Sequence, residues 1–114
     1  MAITRHQVGP RLSQAVVHGN TVYLAGIVAD GADTKEQTKN VLGKIDGLLA
    51  QAGSSKAKLL STVIYITDMR NFADMNSVWD AWVDPQNTPA RATVQANLAN
   101  TKYFVEIMCI AARD

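Results

Sequence analysis

Residues 58–83, KLLSTVIYITDMRNFADMNSVWDAWV, change their apolar period halfway along. Up to Thr67 the positions alternate. Val63, Tyr65 and Thr67 face one way and Ile64 and Ile66 the other, which reads as a buried strand. From Phe72 the spacing lengthens, and Phe72, Met75, Trp79 and Trp82 recur at helical intervals, with Asn71 placed to cap the helix. A buried strand followed directly by an amphipathic helix predicts helices layered on a sheet.

The flanking segments extend this pattern. On the C-terminal side Pro85 and Pro89 bound a loop, and two further strands are expected at about Arg91–Leu98 and Tyr103–Ala111. In the first, Arg91, Thr93 and Gln95 share one face and Ala92, Val94 and Ala96 the other. The second, within YFVEIMCIAA, is apolar on both faces, as in strands covered on both sides. On the N-terminal side ITRHQV reads as an edge strand, and QAVVHGNTVYLAGIVA as a hairpin turning at Gly19 and Asn20, which tolerate positive φ. DTKEQTKNVLGKIDGLLAQAG reads as the longest helix. Asp33 is its N-cap, with Glu36 three residues on as in a capping box. Val41, Ile45, Leu48 and Ala52 form its buried stripe, widened by Leu42 and Leu49. Gly53 suits the position just past its end. Gly43 and Gly47 lie one turn apart inside it, and close approach to a sheet would account for them. The fold class is therefore α+β: one domain, residues 1–114, with two helices on one face of a single sheet. The helices leave the other face open, and self-association is the simplest cover.

Composition narrows the function classes. With 11 Lys and Arg against 10 Asp and Glu and no basic run, nothing in the chain would track a nucleic-acid backbone. The single cysteine, Cys109, cannot form an internal disulfide, and no apolar run is long enough for a signal peptide or a membrane span. A cytoplasmic protein is expected. His6 and His18 lack metal-ligand spacing, and Cys109, in an apolar strand, reads as a core residue.

Two residues stand out for chemistry. Arg91 heads an otherwise half-buried strand. Its planar fork of donors suits a carboxylate or a phosphate, but an ion pair with Glu106 or an aspartate at the sheet edge is the reading the residues alone favour. Glu106 lies mid-strand between Val105 and Ile107, where carboxylates are rarely buried without a partner. It is either a proton carrier to and from water or a sheet-face residue touching solvent.

Several ordered motifs then match one family. TPARATV followed by FVEIMCIAA, the VGPRLSQAVVHGNTVYLAG opening and the TVIYITDMRNFADMNSVWDAW block resemble the RidA/YjgF family along essentially the whole chain, and WDAWV is similar to its YoaB-like branch. The resemblance implies a chorismate-mutase-like fold, a homotrimer with a small-molecule site in each cleft between subunits, and no metal or organic cofactor. It implies hydrolysis of amino-acid enamines and imines to 2-oxo acids and ammonia. The family's carboxylate-binding arginine falls on Arg91, its water-activating glutamate on Glu106, its helix asparagine on Asn76 and its cleft glycine on Gly26. Thr93, beside Arg91, would donate a hydrogen bond. The chain departs from the pattern at Ala25, where a serine often stands, at Thr93, where cysteine or serine is common, at Met108, and at Arg11 and Leu12, where a tyrosine is usual. These changes leave the substrate open. The same cleft could instead hold a 2-oxo acid without turnover, and RNA cleavage, also associated with the family, ranks below both.

Overall fold

A computed structural model describes all 114 residues. The elements are β1 (Ile3–Val8), β2 (Ser13–His18), β3 (Thr21–Leu24), α1 (Thr34–Gln51), β4 (Leu59–Ile66), α2 (Phe72–Trp82), β5 (Ala90–Gln95) and β6 (Val105–Ala112). They form one six-stranded mixed sheet in the order β1-β2-β3-β6-β4-β5. Only β4 and β5 pair in parallel, because the α2 crossover between them returns the chain to the same end of the sheet. β1 and β5 are the two edges.

Local chemistry sets these boundaries. His18 pairs with Thr21, so Gly19 and Asn20 alone make the hairpin turn, with Gly19 at φ 61°. Asp33 caps α1 by accepting from the Glu36 N–H at 2.8 Å, while Glu36 Oε2 reaches back to the Ala32 N–H at 3.2 Å. At the other end the Gly53 N–H bonds to Ala50 O and the Ser54 N–H to Leu49 O, with Gly53 at φ 80°. This paired closure needs a left-handed residue, which glycine supplies. Gln37, almost fully buried, fastens α1 to the loop before β6. It donates to Lys102 O at 2.9 Å and accepts from the Phe104 N–H at 2.7 Å.

One core of 22 buried residues lies between the sheet and the two helices. The expected α1 stripe of Val41, Ile45, Leu48 and Ala52 is buried in it, as are Met75 and Trp79 of α2. Four expectations need correction. Strand β5 stops at Gln95 rather than Leu98, and β6 begins at Val105 rather than Tyr103. Asn71 stands at the α2 N-cap position without a side-chain cap bond. Asp68 instead accepts from the Arg70 N–H at 2.9 Å and closes the short turn ahead of the helix. Gly43 and Gly47 face outward, and a Cβ at either would meet nothing within 4 Å, so no sheet approaches them. Finally, the chain covers β6 on one face only. Val105, Ile107, Cys109 and Ala111 are fully buried under the helices, whereas Met108 on the opposite face is 37% exposed. There Met108 and Ile110 join Tyr23 and Val63 around a shallow, mostly apolar groove.

Candidate functional site

Strand register decides where the candidate side chains point. Directly paired residues project to the same face. Arg91 pairs with Thr62 and Thr93 with Ile64, both buried beneath the helices, so Arg91 and Thr93 rise on the helix face. Glu106 pairs with Tyr65, on the open face. The structure therefore does not bring Arg91 and Glu106 together within one chain. The ion pair between them is ruled out, and Arg91 pairs with no other acid either. The chain's three ion pairs are Lys58–Asp114, Arg70–Asp68 and Lys102–Asp30.

Arg91 is held by rings instead of by a carboxylate. Its guanidinium lies 5.4 Å from the Trp79 ring centroid and 6.0 Å from that of Phe72. Such contacts stabilise a cation by about 0.5–1 kcal/mol at exposed sites and more when desolvated. No ion pair engages its N–H groups. Phe72, Asn76 and Trp79 recur at i, i+4 and i+7 on α2, so Asn76 lies about one turn from each ring. Asn76 Oδ1 and Thr93 Oγ1 are both buried, and both lack a hydrogen-bond partner in the chain. Buried polar atoms are nearly always paired. These are the only two such side-chain atoms, and both lie near Arg91, which has no acidic partner. Sequence reading treated Trp79 as helix packing and passed over Phe72 as a ring under Arg91. The signal was their shared spacing with Asn76.

The second group lies on the other side of the sheet. Beyond β3 the chain continues through Ala25 and Gly26 to an isolated bridge in which Ile27 and Ile107 exchange bonds of 2.9 and 3.0 Å. Glu106, next in line, folds its side chain against Gly26. A Cβ on Gly26 would overlap Glu106 Oε2 and stand 2.9 Å from Glu106 Cδ. Glycine is required there by the carboxylate rather than by backbone conformation. Glu106 is half-buried, and its carboxylate has neither an ion-pair nor a hydrogen-bond partner. Ala25, partly buried, packs on the core edge and donates its N–H to Gln14 O at 2.9 Å.

Cys109 takes no part in either group. It lies fully buried against Thr62 Oγ1 at 3.4 Å, and burial pushes its thiol up to about 11. No helix is long and apolar enough to cross a membrane.

Each chain thus carries two incomplete sets of groups: donors at the β5 edge and a carboxylate on the open face. Comparison with known proteins agrees in fold and sequence. The chain is 45% identical to the RutC family protein YoaB of Escherichia coli over 113 residues, covering 98% of this chain and 99% of that protein. It is also 45% identical to a RutC family protein of Haemophilus influenzae, covering 97% and 98%. A crystal structure of a YjgF-family protein from Neisseria meningitidis superposes with a TM-score of 0.98 at 45% identity, covering all of this chain and 97% of that one. The family model described as endoribonuclease L-PSP matches residues 4–113, and the chain belongs to this family, the YjgF/RidA family.

Proposed function

We propose that the protein hydrolyses 2-imino acids and their enamine tautomers to 2-oxo acids and ammonia, at sites shared between the subunits of a homotrimer. The observation that carries this reading is the unpaired Arg91 fork beside two buried polar atoms without partners. A small carboxylate answers the Arg91 fork, since two parallel N–H bonds match its two oxygens, while Asn76 Oδ1, an acceptor, is left for a donor such as the imine N–H. The Thr93 hydroxyl can donate one further bond to the carboxylate.

Glu106 supplies the chemistry in this reading. A small acid anchored on Arg91 cannot reach Glu106 of the same chain through the sheet. It can meet the Glu106 of a neighbour packed against the free β5 edge. The apolar open face around Tyr23, Val63, Met108 and Ile110 is what such a neighbour would cover. The water oxygen then bonds to the imine carbon as the C=N π pair moves to nitrogen, and Glu106 takes the water proton. That proton passes to the amine nitrogen. Glu106 then takes the hydroxyl proton of the carbinolamine and relays it to the same nitrogen. The oxygen's electron pair forms the C=O bond as the C–N bond breaks, and ammonia leaves with the 2-oxo acid. Fixing the carboxylate sets the imine carbon against the held water, so most of the acceleration comes from proximity. No metal or organic cofactor enters this scheme.

RNA cleavage, the activity in the family's description, is supported less well. A near-balanced charge gives little attraction for a phosphate backbone. The test is direct: generate 2-imino acids with an amino-acid oxidase and follow their loss with wild type, Arg91→Ala and Glu106→Gln. Turnover that collapses in both variants supports the reading. Binding of 2-oxo acids without any turnover would replace it with a carboxylate-binding trimer.

A further inference from the structure

A wide recess opens beside Gly26, and neither Arg91 nor Glu106 lines it. Its volume is about 610 Å3, far more than a three-carbon acid fills. It forms where β3 parts from β2. The Ala25 N–H to Gln14 O bond is the last rung between them, and Ile27 then crosses to Ile107 of β6. Since Ile27 turns its N–H and C=O toward β6, those of Gly26 and Val28 turn the other way, toward the recess. The N–H and C=O of Gly26 bond to no other backbone group.

The wall has a definite chemical character. Lys44 is its only charged side chain. The ammonium donates to Val28 O at 2.8 Å, belongs to none of the ion pairs, and has two further N–H groups to offer. Gln14 and Tyr103 add polar groups. Gln7 closes one end by donating to Gln51 Oε1 of α1 at 3.0 Å, and it is the one non-glycine residue with positive φ, 50°. Holding a residue there costs roughly 1 kcal/mol or more. Gly47 also lines the recess, and a side chain there would meet nothing within 4 Å. Its cost to the helix, about 1 kcal/mol, has no packing explanation, but its missing side chain leaves the recess open.

We propose that this recess receives the substrate side chain and that Lys44 selects an anionic one, so that imines of acidic amino acids are preferred over those of small apolar ones. The inference rests on the deaminase reading. Gly26 links the two places, since its Cα faces the Glu106 carboxylate while its backbone lines the recess. A substrate reacting beside Glu106 has its side chain directed past Gly26, where the recess offers one cation and no carboxylate.

The experiment compares kcat/KM for the five-carbon imine made from glutamate with that for the three-carbon imine made from alanine. Wild type is expected to favour the first by about tenfold, as one charge-assisted contact supplies. Lys44→Gln should lower that ratio about tenfold, and Gly47→Leu, which fills the recess while keeping the Lys44 charge, should lower it too. Equal rates on both imines in wild type, or a ratio that neither variant changes, would overturn the inference. If wild type hydrolyses neither imine, the deaminase reading fails instead. Calorimetry with 2-oxoglutarate and pyruvate then tests the recess alone. Tighter binding of 2-oxoglutarate that is lost in Lys44→Gln upholds it, and no preference sinks it.

Discussion

Mixing two inactive variants tests whether the site is shared between chains. Arg91 lies opposite Thr62 and Glu106 opposite Tyr65 on β4. Three residues along a strand span about 10 Å, and two strand spacings another 10 Å, so the two Cα atoms are roughly 14 Å apart. The side chains also leave the sheet on opposite faces. In a 2-imino acid, by contrast, one bond of about 1.5 Å joins the carboxylate carbon to the imine carbon. One chain therefore cannot hold the acid on Arg91 and its imine carbon beside Glu106. In a cyclic trimer each site would take Glu106 from one chain and Arg91 from the next. When Arg91→Ala and Glu106→Gln are unfolded together and refolded at equal amounts, a site is intact only if the Arg91→Ala chain supplies Glu106 and the Glu106→Gln chain supplies Arg91. Random assembly makes that about one site in four, so roughly a quarter of wild-type imine hydrolysis should return. The reference is wild type refolded with the double variant. It gives about a quarter for shared sites and about a half if each chain carries a whole site. No recovery from the single-variant mixture, with a half in the reference, would refute the shared site.

Four further outcomes are expected. Gly26→Ala should lower kcat about a hundredfold, because its Cβ stands 2.9 Å from Glu106 Cδ and must push the carboxylate about 1 Å aside. The displaced group is a flexible side-chain end, so the melting temperature should fall by less than about 4 °C; kcat near wild type would detach Glu106 from catalysis. Thr93→Val should raise stability by about 1 kcal/mol in denaturant titration, by removing a buried hydroxyl without a partner, and should weaken 2-oxo acid binding. Phe72→Leu, on a ring that is 38% exposed, should raise KM about three- to fivefold with little change in stability, as lost support of the Arg91 cation predicts. The Cys109 thiol is raised from 9.0 to about 11 by burial, so the unfolded chain loses its proton first as pH rises. Stability is then full below about pH 9 and falls by up to about 3 kcal/mol as pH climbs through 11, a slope that Cys109→Ala should flatten.

How much of this was legible in the sequence differs from element to element. Period and caps located the helices well, since Asp33 with Glu36 and Gly53 act through neighbours a few residues away. Strand ends were harder to locate. Leu98 and Tyr103 continue the apolar pattern, but the ladder stops where the partner strand ends, a long-range fact that no local window holds. Gly47 misled for a related reason. A helix glycine signals either close approach or deliberate space, and only the surroundings distinguish the two. Arg91 and Glu106 stood out as candidates by residue type and place in their strands, while Asn76 and Gly26 came only through family motifs. Their division between two faces was implicit in strand parity, but it required knowing that β4 lies between β5 and β6. Phe72 and Trp79 looked like packing because they are packing, and supporting Arg91 is something they do in addition.

The unsatisfied groups connect stability to function. A buried hydroxyl or amide oxygen without a partner costs about 1–3 kcal/mol, and this chain leaves two beside Arg91 while giving neither Arg91 nor Glu106 an opposite charge. An internal ion pair at either position would stabilise the isolated chain and block its site. Because the two sets occupy opposite faces, a ligand that satisfies both recognises only the proposed assembly. Ligand binding and assembly are then linked equilibria, and a ligand at a hundred times its Kd adds about 2.7 kcal/mol to the assembled form. The gain expected for Thr93→Val and the ligand's stabilisation of wild type have one physical origin. Each removes the cost of the same unpaired oxygen, the variant by deleting the oxygen and the ligand by bonding to it.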